Sequence, residues 1–432
     1  MFKGLSLDQA PPEDIPNRFF LSAPFFGILA GALIIFEGHS VFLSNWSFET
    51  IALTHLITLG WVAMIMFGAF YQMIPVLVGG FVPFIKLSRY IHAIFVLGII
   101  SLSLGLYIFN EILLTIAVVL LLISIFTFTL QVLIAIFKVK ANSRPTVSAM
   151  RISVICLVMT LIFGILLISN LLGWVPYFLP RGSMISIHLI FGLFGWILTL
   201  VMGVGFYIIP MFYITDPFPI KRAYLILILQ VISLILLPVG LIFDLDIRLI
   251  SLLAIPGFVA VCLFTYNSFL LIQKRKRKIV DSTIRFWRSG LIFLLISVTI
   301  FFINLWYFET TFLINFGFIY LMGFALSLTT GMLYKIMPFL IWFHRCSNLI
   351  GVPKVPLMKD ILSDKHAKIQ WIVYSISVFI IWTGMITSID LVIRLGGVVF
   401  LSASMIFAWI LIKASRLKVP KSEKPAYMNK KF

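Results

Sequence analysis

Twelve long apolar runs constrain this chain more than any other feature. They lie near residues 19–38, 50–80, 90–109, 112–137, 151–173, 183–213, 223–243, 248–272, 287–307, 311–343, 368–388 and 391–412. A helix crossing a hydrocarbon core of roughly 30 Å needs about 20 apolar residues. Open backbone groups find no water in that core, so runs of this length have to be helices. Hydrophobic residues make up 62% of the 432 and charged residues 11%, which excludes an ordinary soluble domain. The sequence therefore predicts an all-α polytopic membrane protein.

The charges predict its orientation. With residues 1–18 on the cytoplasmic side, all of the 33 Lys and Arg fall on that side except Arg181, Arg248 and Arg394. That asymmetry follows the positive-inside rule and predicts N-in, C-in. The net charge of +18 is thus a mark of topology, and no nucleic-acid partner is expected. The runs at Lys274–Lys278 and in the C-terminal tail read as solvated anchors with some attraction for anionic lipid. The first eighteen residues are too polar for a cleavable signal peptide. Cys156, Cys262 and Cys346 lack the spacing of a disulfide framework or a thiolate metal site, and there is no P-loop, dinucleotide fingerprint or HExxH.

One pattern recurs three times with identical spacing. It reads Gly60-Trp61, Gly68, Tyr71, Pro75; then Gly195-Trp196, Gly203, Phe206, Pro210; then Gly323-Phe324, Gly331, Tyr334, Pro338. The copies lie on the second, sixth and tenth helices, so the chain divides into three blocks of four helices. The expected organisation is a cytoplasmic segment 1–18, repeats at 19–137, 151–272 and 287–412, and a basic tail 413–432. Parallel repeats with pseudo-threefold symmetry about the membrane normal would result. At about 100° per residue the glycines share a stripe with the aromatic and the proline. Small residues on such a stripe let helices approach closely, and the proline is expected to kink or end each helix.

With these features the chain resembles subunit I of the haem–copper oxidases and nitric oxide reductases, most closely the C-type branch. The segment His55-Leu56-Ile57-Thr58-Leu59-Gly60-Trp61 is similar to that family's tenth-helix motif, although it stands here on the second helix. The resemblance implies the family's fold but not its catalysis. The family uses six histidines for two haems and a copper. Here the seventh helix, Ala223 to Leu237, has none, and Phe316 and Phe318 stand where the tenth-helix histidines would fall. No haem–copper binuclear centre, and no reduction of dioxygen or nitric oxide by the family mechanism, is expected.

Two histidines remain beside the motif. His188 precedes Trp196 by eight residues and His55 precedes Trp61 by six, which sets them on opposite sides of their helices. In the family, the low-spin haem lies between a histidine of the first kind on the second helix and one of the second kind on the tenth. Advanced by a third of a turn, that pair becomes His188 on the sixth helix and His55 on the second. The resemblance thus implies one b-type haem between helices two and six, with His55 and His188 as axial ligands and Arg181 near the propionates. The bland alternatives are a bare metal ion, two structural histidines, and an Arg181 that is an interfacial anchor. Intramembrane ionisable groups are functional candidates because they are costly to place. Electron transfer, sensing or respiratory assembly in a bacterial inner membrane is the expected role, with respiratory-chain proteins or an electron donor as partners. A haem-free solute or metal-ion permease and a ligand-free assembly subunit are the alternatives. Glu37 and His39 read as solvated, or as an entry or accessory metal site, His92, His344 and His366 as inner-side residues, and Lys335 as snorkelling to the cytoplasm.

Overall fold

A computed structural model describes residues 11–75, 79–138, 144–276, 280–307, 310–347 and 355–417. Among them no strand occurs, and twelve helices are long and apolar enough to cross a membrane. These are α1 Asp14–Phe42, α2 Phe48–Met73, α3 Ile85–Tyr107, α4 Glu111–Lys138, α5 Pro145–Leu171 and α6 Arg181–Tyr213. They continue with α7 Ile220–Ile242, α8 Ile247–Gln273, α9 Ser282–Trp306, α10 Thr311–Arg345, α11 Asp364–Thr387 and α12 Asp390–Ser415. The chain is an all-α integral membrane protein. Large apolar side chains such as Phe36, Phe126, Ile228 and Ile386 point outward, as contact with lipid requires. The expected segment 1–18 lies outside the described residues up to residue 10, and the expected tail 413–432 beyond Leu417. The Lys274–Lys278 run is described only as far as Lys276.

The three motif helices form the centre. Within the apolar windows of α2, α6 and α10, 72%, 72% and 67% of residues are buried, against 28–50% in the other nine. Each motif helix packs on the helix before it through its two glycines. A Cβ at Gly60 would meet Phe26 at 2.5 Å, one at Gly195 would meet Cys156 at 2.7 Å, and one at Gly323 would meet Phe293 at 2.6 Å. Two turns on, Gly68 meets Phe20, Gly203 meets Ala149 and Gly331 meets Phe286 in the same way. The glycines are therefore contact points between antiparallel helices, as the stripe suggested. α4 lies against α5, α8 against α9, and α12 against α1.

Regular α-helix does not persist through the motif. Leu56–Ala63, Ile190–Leu198 and Ile319–Ala325 are π-helical, and each segment contains the motif Gly-aromatic pair. Side chains add further hydrogen bonds to carbonyls in these turns. Tyr320 donates to the carbonyl of Leu193 at 2.6 Å. Gln230 and Thr199 donate to that of Phe194 at 3.0 and 2.9 Å. The Tyr374 hydroxyl donates to that of Met322. The motif proline also behaves less uniformly than expected. Pro210 lies three residues before the end of α6, whereas α10 runs on past Pro338 to Arg345.

Ion pairs tie the helix ends around the N-terminal end of α1 together. Glu13 accepts from Arg345 at 2.6 Å and Asp14 from Arg89 at 2.8 Å, joining the start of α1 to α10 and α3. Lys335 does not snorkel: its ammonium lies 2.6 Å from Asp281, just before α9, with both side chains largely covered. Burial alone would raise the Asp281 carboxyl, but the Lys335 charge and hydrogen bond, with Thr283 and the Ile284 amide, hold it below its ordinary value. A lowered folded pKa gives stability that is present above the unfolded value and lost as pH falls through the folded one. Acidification below about pH 4 should therefore lower the melting temperature of the wild type more steeply than that of Asp281→Asn. Lys335→Met, which strands the carboxylate, should cost up to about 3 kcal/mol at neutral pH. Equal acid sensitivity of wild type and Asp281→Asn would sink this assignment.

Candidate functional site

The helices leave a cavity of ≈ 320 Å³ lined by residues of α2, α4, α5, α6 and α10. Its size falls within the range of small-molecule sites, roughly 300–1,000 Å³. The wall is apolar apart from a few polar groups, among them His55, His188 and Arg181. Both histidines expected from the sequence thus open on the same space. Their ring centres lie 6.3 Å apart with planes inclined by 32°. Each ring is partly open to the cavity.

Backbone carbonyls orient both rings. His55 Nδ1 lies 2.8 Å from the carbonyl oxygen of Ile51, one turn earlier on α2. His188 Nδ1 lies 3.0 Å from that of Thr160 on α5. A carbonyl only accepts, so Nδ1 is the protonated nitrogen in each ring and Nε2 of the neutral ring carries a lone pair. No hydrogen bond joins the two rings or engages either Nε2 among the described residues. Histidines that bind metals are typically held in this manner, with the second nitrogen donating to a carbonyl or carboxylate.

Glycine makes room for this arrangement. A Cβ at Gly164 would lie 3.1 Å from His188 Cε1, so α5 comes as close to the ring as a residue without a side chain allows. Gly192 and Gly317 also line the cavity, and nothing lies within 4 Å of a Cβ built at Gly317. At the mouth of the cavity Arg181 begins α6, and its guanidinium sits 5.7 Å over the Trp46 ring. Two helical turns, about 10 Å, separate it along α6 from His188.

Phe316 and Phe318 border the same cavity. Phe316 stacks on Phe194 at 5.9 Å and packs on Phe301 and Tyr320, filling the space beyond α6 with aromatic rings. Phe318 meets Phe42 edge-on at 5.7 Å. Trp196, stacked on Phe70 at 5.7 Å, also lines the cavity.

The other candidates stay apart. Glu37 accepts from Tyr107 at 2.7 Å and from Ser40, so its carboxylate is engaged, while His39 uses its amide to bond Asp390. His92 pairs with Ser22, His344 lies against Phe343, and His366 packs on Trp409. Sequence reasoning missed Gly164 and the carbonyls of Ile51 and Thr160. A carbonyl leaves no mark in a sequence, and Gly164 belongs to no repeat.

No protein-family model matches this chain, and no curated protein is similar to it in sequence.

Proposed function

We propose that the protein binds one b-type haem between α2 and α6 and serves in electron transfer, as a divergent relative of the haem–copper oxidase subunit I. The observation that carries this reading is the spacing of two carbonyl-oriented imidazoles across one cavity. An imidazole nitrogen sits about 2.0–2.1 Å from a bound transition metal, so two rings that would hold one ion between them have centres roughly 6 Å apart. His55 and His188 stand at 6.3 Å.

The remaining wall suits a flat, largely apolar group with an acidic edge. Apolar side chains of α4, α5 and α10 offer it burial, Gly317 leaves an open approach, and Arg181 at the mouth can pair with carboxylates. Among the described residues no group of three or more His, Cys, Asp and Glu forms a metal site. A bare ion here would have two protein ligands, whereas a macrocycle brings four of its own. His55 and His188 would hold the haem, which would supply one-electron transfer. Ile51 and Thr160 hold the ring orientations, and the apolar wall limits water around the group. A bacterial inner membrane and respiratory partners fit this role.

Absorption and low-spin electron paramagnetic resonance spectra of the purified protein test the reading. The expected result is a bis-histidine b-type spectrum. Colourless protein after expression with ample haem would overturn it. Arg181→Gln should retain the spectrum while weakening haem retention by roughly tenfold, the scale of a lost supporting contact. Unchanged retention would make Arg181 an interfacial anchor only.

A further inference from the structure

A second cavity, of ≈ 60 Å³, lies between α2, α6 and α10, separate from the histidine pair. Four of the chain's 16 methionines line it: Met66 and Met73 of α2, Met150 of α5 and Met332 of α10. Met66 and Met73 are two turns apart and so share one face of their helix. We propose that this cavity is a binding site for one monovalent soft metal ion, Cu(I), held by thioether sulfurs.

The chemistry of the wall selects the ion. Thioethers are soft ligands that favour Cu(I), whereas Mg²⁺ and Ca²⁺ need oxygen donors. The only side-chain oxygen in the wall is the Thr329 hydroxyl, which donates to the carbonyls of Ala325 and Leu326 at 2.8 and 3.2 Å. Trp287 donates its indole N–H to Met332 Sδ at 3.3 Å, which orients that thioether and leaves it a further lone pair. Phe70 and Trp287 add aromatic rings to the wall, and π-systems attract a monovalent cation. The space exceeds the ≳ 10–15 Å³ that a single water needs, so an ion can enter without displacing side chains. Methionine packs irregular gaps elsewhere in proteins, but a gap filler leaves no gap. Here four methionines line one.

The test uses the full-length protein in detergent, under anaerobic reducing conditions, titrated with Cu(I) against a chromophoric Cu(I) chelator. One equivalent should bind, with sulfur scattering in the copper X-ray absorption spectrum. The double variant Met66→Leu, Met332→Leu nearly conserves volume and should weaken binding by about 100-fold, as expected for lost ligands rather than supporting contacts. Met405→Leu, on the lipid-facing side of α12, should change nothing. Replacement of Cys156, Cys262 and Cys346 by alanine should also leave the ion bound. Should the double variant aggregate, the sulfur scattering of the cysteine-free protein decides alone. No Cu(I) uptake, loss of uptake with the cysteines, or loss with His55→Ala would overturn the proposal. It does not depend on the haem reading, because absence of haem leaves the titration interpretable.

Discussion

Alanine at His55 or at His188 is expected to bleach the purified protein. Each ring provides one of the two protein bonds to the proposed haem, and each is already oriented by a carbonyl, so neither has a nearby substitute. Loss of supporting contacts around a metal ligand costs 10–100-fold in affinity; loss of the ligand itself should cost about 100-fold or more. His92→Ala, with its ring on Ser22 of α1, should leave the spectrum intact. His188→Gly should regain it when imidazole is supplied, because the cavity, the Thr160 carbonyl and His55 remain in place. Spectra that survive both alanine substitutions would remove these histidines from the site.

The second large effect is steric and separates the frame from the cavity. At Gly203 a Cβ would lie 2.2 Å from that of Ala149, so any side chain forces α5 and α6 apart along their contact. Overpacking of well-filled interiors costs typically 1–3 kcal/mol, occasionally more, and Gly203→Leu should lie at or above about 3 kcal/mol. Gly317→Leu provides the contrast. Its Cβ meets nothing within 4 Å and its side chain would enter the cavity, so thermal stability should hold while haem is excluded. If Gly317→Leu proves as unstable as Gly203→Leu, the open space beside Phe316 and Phe318 is not as described. A milder intermediate is Gly164→Ala, which presses on His188 Cε1 from 3.1 Å and should perturb the spectrum more than the fold.

Much of this architecture was legible in the residues because its causes are local. Runs of apolar residues forced helices, and each expected run became one. The motif glycines were read as close contacts, and each meets the neighbouring helix. Other features depended on partners distant in sequence. Asp281 turned Lys335 from a snorkelling cation into a covered ion pair. Tyr320, Gln230 and Tyr374 donate to carbonyls in the π-helical turns, and no spacing in the motif announces such turns. Glu37, read as solvated, as an entry group or as an accessory metal site, keeps an exposed carboxylate that Tyr107 and Ser40 engage.

By itself the sequence determined the helices, their number and their glycine contacts, since hydropathy and side-chain size act on each helix where it stands. It also singled out His55 and His188 and led to the expectation that they face one space between α2 and α6. The tertiary structure alone decided that the Ile51 and Thr160 carbonyls orient them and that 6.3 Å separates their rings. Those quantities depend on how α2, α5 and α6 pack against one another. A helix's own periodicity sets which way a side chain faces, but the distance across a cavity belongs to the helices on both sides of it.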